Sequence, residues 1–80
     1  MWYVYALKSM ERNYIYVGLT NNIARRLHEH NKGYNKTTKP YTPFVLIYEE
    51  GFETRAEARV KEKYLKGGSG KKFLRSILLE

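Results

Sequence analysis

The start of the chain contains two strand-like runs separated by a short polar turn, and this spacing limits what the chain can fold into. Residues 2–8, WYVYALK, and 14–19, YIYVGL, are rich in the aromatic and β-branched side chains that favour β-strands. The connection between them, SMERN, is long enough for an antiparallel hairpin but too short for a parallel crossover. Because side chains alternate along a strand, Val4 and Tyr5 should face opposite sides of the sheet.

A helix and a third strand are predicted after the hairpin. Gly18 should let the backbone turn closely, and Asn21 or Asn22 is suited to cap the helix that follows. Residues 31–43 contain two prolines and no apolar period, which predicts a basic loop. The next segment, FVLIYEE at 44–50, is a continuous apolar run, typical of a strand that is covered on both faces.

The end of the chain predicts two more helices. Thr54 and Glu57 fit a capping box at the start of a helix that runs to about Lys66. The glycines of segment 67–70 should break that helix before a short final one. The side chains expected to point inward from the final helix are Phe73, Leu74, Ile77 and Leu78. The order β-β-α-β-α-α predicts one α+β domain over residues 1–80, with a three-stranded antiparallel sheet flanked by helices.

The charge of the chain indicates a polyanionic partner. Its formal net charge is +7, from 15 Lys and Arg against 8 Asp and Glu, and nucleic acid is the first candidate for a small basic domain. A ribosome-associated or merely basic protein is the alternative that charge alone leaves open. The chain has no cysteine for a disulfide or a thiolate metal site, and its start does not read as a secretory signal. Because no apolar stretch is long enough to span a bilayer, we expect a cytoplasmic protein with no membrane partner.

Polar side chains on the hairpin and on the first helix could meet at one site. Arg26 and His30 are one helical turn apart, so they should lie on the same side of the helix, at the rim of the core. Tyr5 and Tyr16 lie on adjacent strands and can share a face of the sheet. Singly, each has an ordinary explanation, since tyrosine rings usually pack, arginines usually face water and a lone histidine is usually structural. Their joint placement favours a functional site.

Glu62 falls between Ala58 and Leu65 in the helical series of the second helix. A carboxylate beside apolar residues needs an arginine or a divalent metal to offset its desolvation, and a pairing with Lys66 is the plainer explanation. Phosphodiester hydrolysis requires an aligned water, positive charge near the phosphate oxygens and, often, a metal held by carboxylate oxygen. A tyrosine can act as a base at pH 7 only if a neighbouring cation lowers its pKa.

Three segments resemble the motifs of one nuclease family. The tripeptides YVY at 3–5 and YVG at 16–18 are similar to the paired signatures of GIY-YIG nucleases. The run GLTNNIARRLHEHNKG is similar to the family's helix with its arginine and histidine, and residues 58–63 resemble the later motif that contains an acidic residue. The likeness covers nearly the whole chain and points to small stand-alone members related to the nuclease domain of bacterial excision repair. Tyr3 replaces the first glycine of the first signature. Some family members carry a functional asparagine late in the chain, and this chain has none there, so that position of the site is either unfilled or filled by Ser69 or Lys71.

The resemblance implies a metal-dependent DNA endonuclease that hydrolyses phosphodiester bonds. The family motifs carry over to five catalytic residues, Tyr5, Tyr16, Arg26, His30 and Glu62. Tyr5 would align or deprotonate the attacking water, helped by His30 or Tyr16, and a tyrosine that attacks directly is the alternative left open. Arg26 would stabilise charge on the phosphate. Glu62 would hold one divalent ion, Mg²⁺ or Mn²⁺.

DNA is the expected partner, selected by its structure rather than its sequence, in repair or recombination. Branched, nicked and single-stranded forms are candidate substrates, and RNA binding and a larger repair complex remain open. The cations expected to contact nucleic acid are Lys8, Arg25, Lys32, Lys36, Lys39, Lys71, Lys72 and Arg75. The alternative is a non-catalytic basic module in which Trp2, Tyr34 or Tyr41 would stack on bases. A structural or protein-interaction domain is the third hypothesis.

Overall fold

The computed structural model describes residues 1–79 and shows one three-stranded sheet with helices on both faces. The strands are β1 (Trp2–Ser9), β2 (Ile15–Thr20) and β3 (Phe44–Phe52), in the spatial order β2-β1-β3 with both pairings antiparallel. The helices are α1 (Ile23–Asn31), α2 (Arg55–Lys66) and α3 (Gly68–Leu78), with a short 3-10 turn at Lys39–Tyr41. This architecture confirms the predicted fold class and element order. None of the three helices combines the length and apolar character that crossing a membrane requires.

Side chains alternate between the two faces of the sheet along β1, and each face is covered by different helices. Val4 and Ala6 pack on one face against Ala58 and Leu65 of α2 and Leu74 of α3. All five are fully buried, so this face carries the larger apolar core. The predicted separation of Val4 from Tyr5 is confirmed, because Tyr5 belongs to the cluster on the opposite face.

The second face of the sheet packs against α1. Tyr5, Leu7 and Phe44 are its buried residues, and Ile23 and Leu27 of α1 lie against them. The core on this face is smaller and more aromatic. A helix with one apolar stripe can therefore carry polar side chains close to the sheet on either side of that stripe.

The third strand departs from the prediction of a run covered on both faces. Ala6 pairs with Tyr48 and Leu7 pairs with Leu46, so Ile47 is an extra residue that forms a bulge in β3. Because of the bulge, Ile47 and Tyr48 both pack toward the α2 and α3 side. Val45 remains 46% exposed and belongs to neither core cluster.

Both predicted helix starts are confirmed by their capping bonds. Oδ1 of Asn22 accepts a hydrogen bond from the backbone amide of Arg25 at 3.1 Å, which identifies Asn22 rather than Asn21 as the cap. The Thr54 hydroxyl accepts a hydrogen bond from the backbone amide of Glu57 at 3.2 Å. In return, the Glu57 carboxylate accepts one from the backbone amide of Thr54, also at 3.2 Å. These reciprocal bonds are the expected capping box.

A break between the last two helices is present, but it is shorter than the predicted segment 67–70. Only Gly67 is extended (φ −80°, ψ 175°), and α3 begins at the next residue. Gly70 is buried inside α3, where a Cβ would overlap the carbonyl oxygen of Tyr64 and the Cα of Leu65. The glycine is therefore needed so that α3 can fold back closely against the end of α2.

The inward face of α3 is narrower than predicted. Leu74 is buried and Ile77 is partly buried against the core, as expected. Phe73 and Leu78 are 40% and 41% exposed, so their predicted inward placement was wrong. The ring of Phe73 instead meets the ring of Tyr48 edge-on, with 5.7 Å between centroids. Since α3 also packs against α2, only one side of it faces the sheet.

Candidate active site

Gly18 makes room for two tyrosine rings on the α1 side of the sheet. The register pairs Gly18 with Tyr5 on the neighbouring strand. A Cβ on Gly18 would lie 2.5 Å from the Tyr5 hydroxyl oxygen and 2.9 Å from Cε2 of Tyr16. Gly18 lies within β2, and Gly33 is the only described glycine with a positive φ. The expectation that Gly18 makes a close turn was therefore wrong, because its role is to admit the Tyr5 phenol across β2.

His30 lies beneath this pair of rings. It is fully buried, which is deeper than the rim position predicted from the helical spacing. Its Nε2 atom is 3.2 Å from the Tyr5 hydroxyl, and its Nδ1 atom is 3.0 Å from Oγ1 of Thr38. Its ring centroid is 4.7 Å from that of Tyr16. Burial, and then the charge of Arg26, lower the pKa of His30, so the imidazole is neutral at pH 7.

Arg26 lies at the border between this buried group and solvent. Its side chain is 31% exposed, and Nη1 donates to Oε1 of Glu29 at 2.8 Å. The interaction with the Tyr5 hydroxyl is the largest cause that raises the pKa of Arg26. The guanidinium is therefore hydrogen-bonded to Glu29 and close enough to Tyr5 to affect its pKa, with part of its surface open.

Tyr5 could act as a base at pH 7 only if its pKa were lowered, and the structure shows the opposite shift. Burial raises the pKa of Tyr5, and the opposing effect of Arg26 is the smaller one. Tyr5 is also only 1% exposed. The condition for a tyrosine base, a pKa lowered by a neighbouring cation, is therefore not met at Tyr5, and its phenol stays protonated at pH 7.

An open cleft of about 290 Å³ lies along the outer edge of β2. Its lining residues are Tyr14, Ile15, Tyr16, Val17, Lys66 and Lys71. Tyr16 thus connects the two environments, because its ring also packs 6.2 Å, centroid to centroid, from that of Tyr5. The two lysines give the cleft a positive wall opposite the tyrosine.

Glu62 lies on α2, which packs against the other face of the sheet. Its side chain is 10% exposed, and its Oε2 atom is 3.2 Å from Nζ of Lys66, as the spacing predicted. Its Oε1 atom is 3.7 Å from Nε of Arg59. Within residues 1–79, no hydrogen bond or ion pair joins Glu62 to the other four predicted catalytic residues. Its link to Tyr16 is Lys66, which pairs with Glu62 and lines the same cleft.

The carboxylate of Glu62 fits a particular kind of metal site. In the described part of the chain, no three histidine or acidic side chains are grouped as metal ligands. Mg²⁺, however, is commonly bound through one or two carboxylates and keeps several waters or substrate phosphate oxygens as its other ligands. A single, nearly buried carboxylate that is paired with cations has the charge and oxygen chemistry for that role. A fully protein-built cage does not fit these residues.

The predicted nucleic-acid contacts fall into two groups. The exposed cations are Arg25, Lys32, Lys36, Lys39, Lys71, Lys72 and Arg75. Lys8 differs, because its ammonium donates to the carbonyls of Ser9 and Arg12 at 2.6 and 2.7 Å and so holds the hairpin turn together. Of the two candidates for the missing asparagine, Lys71 lines the cleft, whereas Ser69 is exposed in the first turn of α3.

Two of the polar cleft residues, Tyr14 and Lys66, were not predicted from the sequence as site residues. Lys66 was assigned only as a partner of Glu62, and Tyr14 was assigned only to the hairpin. The signal that could have found Lys66 was its place next to Gly67, where the helix ends beside the edge of the sheet. Tyr14 stacks on Tyr41 with 3.9 Å between ring centroids.

The three aromatic residues proposed to stack on bases differ in how freely their rings are exposed. The guanidinium of Arg55 covers the ring of Trp2 at 5.5 Å from its centroid, and Tyr14 already covers Tyr41. Tyr34 is 71% exposed. Tyr34 therefore remains the strongest of the three candidates.

Comparison with known proteins gives a family match over most of the chain. Residues 1–74 match the family model described as the GIY-YIG catalytic domain. A UPF0213 protein of Staphylococcus haemolyticus is 38% identical over 76 residues, which is 94% of this chain and 92% of that protein. A UPF0213 protein of Clostridium perfringens is 42% identical over 67 residues, covering 82% of this chain and 71% of the relative.

A solved structure supports the same relationship. The solution NMR structure of a UPF0213 protein from Bacillus halodurans aligns with a TM-score of 0.56 and 31% sequence identity. The alignment covers 96% of this chain and 85% of that one. The shared fold, the two tyrosine-containing strands and the match over residues 1–74 lead to one conclusion: the chain belongs to the GIY-YIG family of nucleases.

Proposed function

We propose that this protein is a metal-dependent endonuclease that hydrolyses DNA phosphodiester bonds in the cleft beside β2. The observation that carries the proposal is the packing of Tyr5 and Tyr16 over Gly18 and against His30, next to a cleft with two lysines. Residues 1–80 would form one nuclease domain. Family membership supports a nucleic-acid substrate, and the residue roles below are our assignment.

Tyr16 is the tyrosine best placed to hold the attacking water. It lines the open cleft, whereas Tyr5 is 1% exposed. We therefore assign the water-aligning role to Tyr16, and Tyr5 becomes the residue behind it. Tyr5 and His30 would form the route for the proton: the Tyr5 oxygen accepts the proton that the water releases and passes its own proton to the neutral imidazole 3.2 Å away.

The phosphate would be stabilised by fixed positive charge. Arg26 offers the open part of its guanidinium, and Lys66 and Lys71 lie in the wall of the cleft. Donors that are already in position stabilise the charge that grows on phosphate oxygens without reorganising during the reaction. Glu62 would hold a divalent ion, Mg²⁺ or Mn²⁺, which supplies Lewis-acid stabilisation of the phosphate when bound.

The distribution of cations supports recognition of nucleic-acid structure rather than sequence. The exposed lysines and arginines can contact phosphates, and phosphate contacts orient a protein without reading bases. Branched, nicked or single-stranded DNA in repair or recombination would be suitable substrates, with RNA as an additional ligand and a larger repair complex as the setting.

A nicking assay tests this proposal. The protein is incubated with a panel of branched, nicked and single-stranded DNAs in Mg²⁺, Mn²⁺ or EDTA. Metal-dependent cleavage that Arg26→Ala abolishes is the expected result. Equal cleavage by the parent, Arg26→Ala and Glu62→Ala would refute the assignment of the site.

One observation favours a second candidate, a basic nucleic-acid-binding module without catalysis. Lys66 and Arg59 already neutralise Glu62, so the carboxylate has partners without a metal. This candidate predicts binding that weakens steeply with salt and no nicking by the parent in either metal.

A further inference from the structure

A buried chain of hydrogen bonds runs from the basic loop to the active-site tyrosine. Oγ1 of Thr38 lies 3.0 Å from Nδ1 of His30, and Nε2 of the same ring lies 3.2 Å from the Tyr5 hydroxyl. Thr38 and His30 are fully buried and Tyr5 is 1% exposed. Water therefore does not compete with these bonds, and each group must find its partner within the chain.

The direction of each bond depends on where the Thr38 hydroxyl donates its proton. The Thr38 hydroxyl has a carbonyl acceptor in Asn35, at 3.4 Å. If the hydroxyl donates there, its oxygen accepts a proton from Nδ1 of His30. A neutral imidazole carries a single N–H, so Nε2 is then left as the acceptor for Tyr5.

We propose that Thr38 is a positioning residue that fixes the tautomer of His30, so that the Tyr5 hydroxyl donates to Nε2. The hydrogen bond made by one imidazole nitrogen decides which nitrogen carries the proton. With its own proton directed at His30, the Tyr5 oxygen turns its lone pairs toward Arg26, which can only donate. The proposal rests on the proposed function for its kinetic consequence, but not for the tautomer itself.

The surroundings of the ring are consistent with a neutral imidazole held in one orientation. Tyr5 faces it from β1, Tyr16 from β2 and Phe44 from β3, with ring centroids 6.2, 4.7 and 6.0 Å away. From its own helix, the charges that act on His30 are those of Arg26 and Glu29. Thr38 is thus the group that pairs with Nδ1.

The location of Thr38 has a consequence for substrate binding. It lies in the loop that carries Lys36 and Lys39, next to the 3-10 turn. The amides of Thr38 and Lys39 donate to the Asn35 carbonyl at 3.2 and 2.9 Å, so the turn itself is hydrogen-bonded. The loop expected to meet phosphates is therefore the one that orients His30.

Nitrogen-15 NMR of the histidine rings tests the tautomer directly. In the parent, the expected result is a protonated Nδ1 and an unprotonated Nε2 for His30. Thr38→Val should convert His30 to a mixture of tautomers or to the other form, and Thr38→Ser should restore the parent spectrum. Thr37→Val places the same change on the exposed neighbouring residue and should leave His30 unchanged.

Cleavage kinetics test the consequence. Thr38→Val should lower kcat about 10-fold with an unchanged KM, as for the partners of other functional histidines, and Thr38→Ser should recover the rate. A proton on Nε2 in the parent would overturn the proposal, even if Thr38→Val fails to fold. Full kcat in a folded Thr38→Val protein would also overturn it. A parent that shows the expected tautomer but never cuts DNA would instead disprove the proposed function.

Discussion

The hydroxyl of Tyr5 lies directly over the backbone of Gly18 on the neighbouring strand, so that a Cβ there would be 2.5 Å from the phenol oxygen. The two residues are paired in the register of β1 and β2. The glycine of the second signature tripeptide is therefore needed for the space above it. This space allows a buried phenol to extend from the central strand toward β2, the edge strand that lines the cleft.

Gly18→Ala should disturb the site and the fold together. The added methyl group must displace both Tyr5 and Tyr16, and such overpacking costs about 1–3 kcal/mol of unfolding free energy. Chemical denaturation measures this loss, and the nicking assay should show little activity. Gly68→Ala is the matched control, because nothing lies within 4 Å of its Cβ position. Equal stability and activity for both variants would contradict the packing role of Gly18.

Substitution of Arg26 should lower kcat, whereas substitution of its neighbour Arg25 should raise KM. Arg26 lies beside Tyr5, and removing one electrostatic stabiliser of the transition state costs ~10²–10³ in kcat. Arg25 is exposed, so Arg25→Ala should raise KM through a lost phosphate contact and leave kcat near the parent value. Steady-state cleavage of one nicked substrate separates the two effects. A larger kcat loss in Arg25→Ala than in Arg26→Ala would reverse the assignment.

Glu62→Gln should remove the response to divalent metal. The substitution keeps the shape of the side chain but removes the charge that a hard cation requires. Cleavage by the variant in Mg²⁺ should fall to the level that the parent shows in EDTA. Glu53→Gln, at an exposed position, should titrate with Mg²⁺ like the parent. Retention of full Mg²⁺ stimulation in Glu62→Gln would exclude this carboxylate as the metal ligand.

The burial of His30 should make stability depend on pH. Burial lowers its pKa below the usual 6.5, so between 6.5 and the lower folded value the unfolded chain binds more protons than the folded one. The unfolding free energy is therefore fully retained above pH 6.5 and falls as pH drops toward the folded pKa. His30→Gln should reduce the change in melting temperature between about pH 7.5 and about pH 5. His28→Gln, at an exposed position, should show the same pH-dependent change as the parent.

Much of the fold could be predicted because its signals are local. The hairpin follows from a short connection between two strand-like runs, and the capping box of α2 needs only Thr54 and Glu57. The helical spacing of Arg26 and His30 also places both side chains on one side of α1. Other features could not be predicted from the sequence. The bulge at Ile47 and the close approach of Gly70 to α2 depend on which segments pack together.

The sequence by itself determined the element order, the faces of β1 and β2 and the residue types available for phosphate chemistry, because these depend on periodicity and on neighbours along the chain. Only the tertiary structure decided that Tyr16 rather than Tyr5 meets the cleft, and that Lys66 joins Glu62 to it. It also decided that Thr38 pairs with His30. The physical reason is that burial, proton location and charge pairing are set by contacts between segments, and strand register and helix packing bring those segments together.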